Sequence, residues 1–185
     1  MQHPTGKLLI AMPGMRDPRF EQGVVFLCEH SENGAMGLIV NKPSSGIDVS
    51  ELLSHLGIEG EELPDDLPVH FGGPVDHGRG FVLHSPDYDE NASTVQVTEE
   101  VGMTATLDIL EEIALGRGPK NAILALGYSG WGPGQLEDEF QANGWLVCEA
   151  CPDVVFHANP GAKWTEALKS LGIDAIALSS EAGRA

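Results

Sequence analysis

Fifteen residues, Leu126-Gly-Tyr-Ser-Gly-Trp-Gly-Pro-Gly-Gln-Leu-Glu-Asp-Glu-Phe140, constrain the chain more than any other stretch. Four glycines and a proline join an apolar run to a polar, helix-forming one, with Ser129, Trp131 and Gln135 around the join. Glycine tolerates positive φ or a second backbone at close range, and proline in a first helical turn fixes the entry to the helix. The composition demands an unusual backbone path rather than a particular reaction.

Two reaction motifs come close to this stretch and fail on spacing. Gly130-Trp-Gly132-Pro-Gly134 puts Gln135 where a dinucleotide fingerprint needs its third glycine, and no Lys-Ser/Thr pair follows for a phosphate loop. A nucleophile elbow after Gly127-Tyr-Ser129 needs glycine at 131, where Trp131 stands. The amides of Gly132–Gln135 still offer an anion a helix start, while Glu137 and Asp138 already complement the dipole of that first turn. A structural turn and a ligand-contacting loop both stay open.

Around this landmark the hydropathy pattern gives strands at Lys7–Met12, Val24–His30 and Gly37–Asn41, with a hairpin turn at Glu32-Asn-Gly34 and a stop at Pro43. Val49, Leu52, Leu53 and Leu56 recur at helical spacing over Asp48–Leu56. Residues 57–68 hold five acids, two prolines and two glycines and read as a solvated loop. Short strands are expected at Val69–Phe71, Gly80–His84 and Thr94–Val97, and a helix at Thr104–Leu115 ending in Gly116-Arg-Gly-Pro119. A buried strand at Asn121–Tyr128, helices at Gln135–Asn143 and Pro160–Leu171, and a strand at Trp145–Cys148 complete the pattern, with residues 178–185 a loose tail. The 185 residues suit one domain spanning 1–185.

Ten Lys and Arg against 28 Asp and Glu give a net charge of −18, which opposes attraction to nucleic-acid phosphates and anionic lipid. The cations are scattered, and no apolar run is long enough for a signal core or a membrane span, so the expected site is the cytoplasm, without membrane contact. Cys28, Cys148 and Cys151 are too few for a disulfide scaffold. Cys148-Glu-Ala-Cys151 is one Cys-x-x-Cys pair, and Cys28-x-His30 has strand rather than knuckle spacing, so buried core thiols are expected and neither metal nor cofactor.

Two further groups have chemical potential. Arg79 is the sole cation between Lys42 and Arg117, a span with 16 acidic residues, so a salt bridge is favoured over a free fork for carboxylate or phosphate. His70, His77 and His84 lack metal-binding spacing and read as polar strand-end residues. Glu29 and His30 are adjacent on a strand and face opposite ways unless a bulge intervenes, so a partner for His30 must come from elsewhere, Asn41 or His84 if their strands pair.

Gly6-Lys-Leu-Leu-Ile-Ala-Met-Pro13, Cys28-Glu-His30, Gly34–Pro43, Phe71-Gly-Gly-Pro-Val75, Arg79–Ser85 and Gly130–Glu137 together make the chain closely resemble the AlgH/YqgE family from about Gly6 to Leu178. The resemblance implies an α+β fold, with a mixed sheet curled into a barrel-like core and helices outside. It marks Glu29, His30, Asn41, Gly72, Gly73, Arg79, His84, Ser85, Trp131, Gln135 and Glu137 as landmark positions and ligand-contact candidates. The family often carries the label of transcriptional regulator and has no agreed catalytic residues. Ser129 and Gly144 stand where alanine is usual in the family, and the cysteine pair is not a general family feature. The expected function is that of a noncatalytic ligand-binding or regulatory protein with a small-molecule or protein partner. The Gly-Gly-Pro turn, Arg79 and the Trp131 bend would then converge on one surface. The alternative is a hydrolase or transferase pairing Ser129 or Ser85 with His84 or His30. Direct DNA binding is not expected at this charge.

Overall fold

The computed structural model describes residues 4–58, 67–88, 93–157 and 159–181. Nine strands form one sheet: β1 Lys7–Ala11, β2 Val24–Ser31, β3 Gly34–Ile39, β4 Val69–Phe71, β5 Val75–His84, β6 Thr94–Gln96, β7 Gly102–Thr104, β8 Ala122–Trp131 and β9 Trp145–Glu149. Helices α1 Val49–His55, α2 Leu107–Ala114, α3 Gln135–Gln141, α4 Pro160–Ser170 and α5 Ala175–Glu181 lie around it. The strand order is β6-β7-β5-β8-β3-β2-β1-β9, antiparallel throughout, with β4 added parallel to β8.

The sheet curls, and its apolar strands bury both faces. Along β1, Leu8 and Ile10 enter one cluster with Val101 and Leu83 from the far end of the strand order and with Trp164 and Leu168 of α4. Leu9 and Ala11 point the other way, to Trp131, Trp145 and Leu136 of α3. A third cluster packs Leu53 of α1 and Ile109 and Leu110 of α2 against Val82 and Leu124. Continuous rather than alternating hydrophobicity in β1, β2 and β8 is what two covered faces require.

One crossing organises the centre. Strand β8 pairs with β5 along one edge, and along the other first with β4 at Leu124–Leu126 and then with β3 at Ser129–Trp131. The change of partner falls at Gly127, whose φ is +73°. There the turn after β4 crosses the strand so closely that a Cβ on Gly72 would lie 2.2 Å from the Gly127 carbonyl oxygen. One on Gly73 would lie 2.2 Å from the Tyr128 carbonyl carbon. Backbone meets backbone there, so only glycine fits.

Several expectations change. The glycine-rich stretch is mostly strand, since β8 runs through Trp131 and the turn is confined to residues 132–134. Strand β7 occupies Gly102–Thr104, so α2 starts three residues later than the apolar spacing predicts. Helix α5 extends to Glu181 where a loose tail was expected from Leu178, and residues 182–185 lie outside the described residues. Most of the acidic loop over 57–68 also lies outside them. The Glu32–Asn33 hairpin turn is present, and Pro43 makes only an isolated bridge, to His70.

Candidate functional site

Strand β8 ends on Trp131, and the short turn after it sets α3 beside the segment that follows β1, residues 14–20. Gln135 Oε1 accepts the Gly132 N–H at 3.0 Å, so that amide is occupied by the protein itself. Four residues on, along the same helical face, Glu139 collects the neighbouring polar hydrogens. Trp131 Nε1 and Trp145 Nε1 both donate to Glu139 Oε2, at 2.9 and 2.7 Å, and Gln135 Nε2 donates to Glu139 Oε1 at 3.1 Å. The two indoles meet edge to face at 6.0 Å, and Phe20 stands edge-on to Trp145 at 5.6 Å. A groove of about 500 Å³ opens over this cluster, lined among others by Arg16, Phe20, Pro74, Trp131, Gln135 and Glu139. Arg19 at its rim is held by Asp17 in a two-pronged ion pair, whereas Arg16 makes no ion pair among the described residues.

Beside it lies a second contact. His30 Nε2 donates to Glu137 Oε1 at 2.6 Å, tying β2 to α3. The backbone N–H of Glu137 and then the His30 ring hold the Glu137 carboxyl below its ordinary range. The partner of His30 is therefore Glu137, neither Asn41 nor His84. A bulge does interrupt β2 between Leu27 and Glu29, and Glu29 is exposed, lining a shallow recess of about 210 Å³ with Met36 and Trp131.

The remaining candidates sit elsewhere. Asn41 accepts the Val24 N–H and donates to the Gln22 carbonyl, both at 2.8 Å, which pins the loop before β2. Gly72 and Gly73 serve the backbone crossing. Arg79 is exposed, its guanidinium 5.0 Å from the centre of the Phe81 ring, and no carboxylate among the described residues forms the expected salt bridge. It lines a different groove, of about 250 Å³, with Leu52, Leu107 and Leu110. Arg79 and Trp131 thus do not share one concave surface.

His84 ends β5, as expected, and is fully buried. Its Nδ1 donates to the Ser85 carbonyl at 2.8 Å, which leaves Nε2 to accept the Thr104 hydroxyl at 2.9 Å. Burial lowers its pKa, so the ring is neutral and committed. The Ser85 hydroxyl donates to Asp87, and the buried Ser129 hydroxyl donates to the Gly72 carbonyl at 3.2 Å. Both candidate nucleophiles spend their hydrogen on structure. His77 is exposed and stacks on Phe71 at 5.5 Å. Cys28 and Cys148 are buried as expected, but Cys151 is exposed. Among the described residues no three His, Cys, Asp or Glu side chains converge as a metal centre would need, and no helix is long and apolar enough to cross a membrane.

Lys163 carries no mark in the sequence, and His70, which reads as a polar strand end, is buried with it. Lys163 of α4 is 1% exposed, and its ammonium donates to the carbonyls of Val40 at 2.8 Å and Val155 at 2.6 Å. Burial pulls its pKa down to about 8. His70 is equally buried, with neither ring nitrogen hydrogen-bonded among the described residues; burial and then the Lys163 charge lower its pKa to about 4, and the Pro68 carbonyl offsets this only in part. Lys163, Glu139 and Trp145 lie on ordinary helical or apolar patterns. The one usable signal was the spacing of Gln135 and Glu139 on α3.

These features define a mixed α+β protein whose strongly curled, mainly antiparallel half-barrel presents an aromatic groove where β8 meets α3. The chain belongs to the AlgH-like family, whose model matches residues 8–176. It is similar to a UPF0301 protein of Ruegeria pomeroyi, 59% identical over 182 residues that cover 98% of each chain. A UPF0301 protein of Paracoccus denitrificans is 55% identical, over 98% of this chain and 96% of its own. The solution structure of AlgH from Pseudomonas aeruginosa superposes with a TM-score of 0.80 at 39% identity, covering 100% of this chain and 97% of that one.

Proposed function

We propose that this protein is a noncatalytic cytoplasmic binding protein that holds a small molecule, or a segment of a partner protein, in the groove beside Trp131. A regulatory role would follow from that occupancy rather than from contact with DNA, which a net charge of −18 opposes. The observation that carries the reading is the groove itself. At about 500 Å³ it has the size of a small-molecule site, with aromatic surface from Phe20 and Trp131 and a few placed polar groups. The hydrogen bonds to Glu139 fix the orientation of both indoles before any ligand arrives, which lowers the ordering cost of binding.

The test is a metabolite screen by thermal shift on the full chain, followed by Trp131→Ala and, as a control in the other groove, Arg79→Ala. Ligands that raise the Tm of the wild type and of R79A but not of W131A support the reading. A screen without binders, together with partner interactions untouched by W131A, sinks it. Low-salt binding of duplex DNA, weakened by substitution of particular Lys or Arg residues, would replace it with the regulator reading in its literal form.

A further inference from the structure

The groove holds one chemical feature that a general binding site does not require. Glu139 is half-buried, and its carboxylate is met only by neutral donors, the two indole N–H groups on Oε2 and the Gln135 amide on Oε1. No cation among the described residues pairs with it. A carboxylate offers about four acceptor positions, so one, on Oε1, is left over. The negative charge has no ion-pair partner, in a groove that Phe20 and Trp131 also line.

From this we infer that the groove recognises an organic cation, an ammonium or guanidinium group, which docks on Glu139 Oε1 and packs its alkyl or planar body on Phe20 and Trp131. The inference rests on the binding role proposed above and names the ligand's charge class. Three physical terms converge on it. A charge-assisted hydrogen bond in a partly desolvated site is about twice as strong as a neutral one. Ring faces of Trp and Phe attract cations. The field of a chain with net charge −18 concentrates cations at its surface.

The two arginines that line the groove do not pair with Glu139. Arg19 is held by both oxygens of Asp17. Arg16 lines the groove without an ion pair, and its charge works against a ligand that is cationic throughout. A ligand that carries a carboxylate beside its cationic group would meet Arg16 with the opposite charge. The same cationic chemistry can come from a free amine or from a Lys or Arg side chain of a partner.

The experiment uses the full chain labelled with nitrogen-15 and follows the indole N–H resonances of Trp131 and Trp145, with Trp164 as an internal reference bonded instead to the Ala11 carbonyl. Four probes of matched length are titrated: n-butylamine, butylguanidine, butyrate and butanol. A capped Gly-Lys-Gly peptide tests the protein-borne source. The expected result is saturable movement of the Trp131 and Trp145 signals with the two cations, none with butyrate or butanol, and a loss of about tenfold or more in affinity in Glu139→Gln. Tighter binding of the peptide than of butylamine assigns the cation to a partner chain, and the reverse assigns it to a small molecule. Movement with butyrate or butanol but not with the cations overturns the charge class and leaves the groove a binding site. No response of groove resonances to any probe, in a thermal screen that also yields no binder, removes both. The wild-type comparison of matched probes decides the matter even if E139Q fails to fold.

Discussion

Glu139 and Lys163 carry opposite charges and meet the same problem in mirror image. Each is a charged group partly or wholly withdrawn from water and held by neutral partners. Glu139 receives three N–H donors, and Lys163 gives hydrogen bonds to two carbonyls. What separates them is access. Glu139 lines a groove, whereas Lys163 is 1% exposed beneath β3 and the 153–157 turn. A charge with neutral partners and an open side is available to a ligand. A charge with neutral partners and no open side is a clasp, and its cost appears as a lowered pKa.

The largest expected effect tests what joins the two regions. His70, which feels the Lys163 charge, and Trp131, which lines the groove, are placed by the same crossing of β4 and β8 at Gly72–Gly73. Gly72→Ala would set a Cβ 2.2 Å from the Gly127 carbonyl oxygen and 3.0 Å from the Ala125 Cβ, neither of which has a rotamer to relieve it. Such strain belongs among the severe substitutions, about 4 kcal/mol or more. Chemical denaturation should show the variant largely unfolded. A stable, cooperative G72A would break the idea that one crossing supports both sites.

Next comes the clasp. Lys163→Ala removes the buried stem and leaves the Val40 and Val155 carbonyls without their donor, at an expected cost of about 4 kcal/mol in urea denaturation. Lys163→Met keeps the stem volume and should recover a good part of that. Equal losses in both variants would assign the role to the ammonium rather than to packing.

The third prediction uses pH. The lysine pKa is about 8 in the folded chain against 10.5 for an ordinary lysine. Between these values the unfolded state binds more protons, so stability rises with pH across that window, by on the order of 3 kcal/mol for a full shift. The buried thiols of Cys28 and Cys148, whose pKa values are raised, work in the opposite sense at alkaline pH. The informative quantity is therefore the difference between wild type and K163M, which should widen from pH 8 upward. Parallel curves would mean that the lysine titrates normally. On the acid side His70, at about 4 against 6.5, makes the folded chain lose stability as pH falls through that window, a slope that His70→Gln should flatten.

These two regions were unequally legible in the sequence. The strands β1, β2 and β8 announce themselves through uninterrupted apolar runs, and the glycines of 72–73 and 127–134 announce a close approach. Their positions, together with the resemblance they support, were enough for the curled α+β sheet. The sequence could not reveal which glycines face another backbone, because the crossing joins segments more than fifty residues apart. Nor does composition distinguish the commitments of His84, Ser85 and Asn41 to local hydrogen bonds from ligand contacts. Arg79 reads as a salt-bridge residue, or as part of one surface with Trp131, yet it pairs with no carboxylate among the described residues and its groove is the leucine-lined one. Glu139 and Lys163 hid as unremarkable charged residues on α3 and α4, since burial is a property of the fold and carries no local mark.

The smallest stability change is expected at Glu139 itself, and that is what would set it apart from the lysine. Glu139→Gln keeps an oxygen able to accept an indole N–H, so it should cost only about 1 kcal/mol, the scale of one weakened charge-assisted bond. The local signature should be larger than the energetic one. With a weaker acceptor, the Trp131 and Trp145 indole N–H resonances should both move, while that of Trp164 stays, because its partner is the Ala11 carbonyl. A cost as large as that of K163A would place Glu139 among the structural clasps and take away the reason to treat its charge as held open for a ligand. A small cost with both indoles displaced keeps the two charges in different classes, one spent on the fold and one facing the groove.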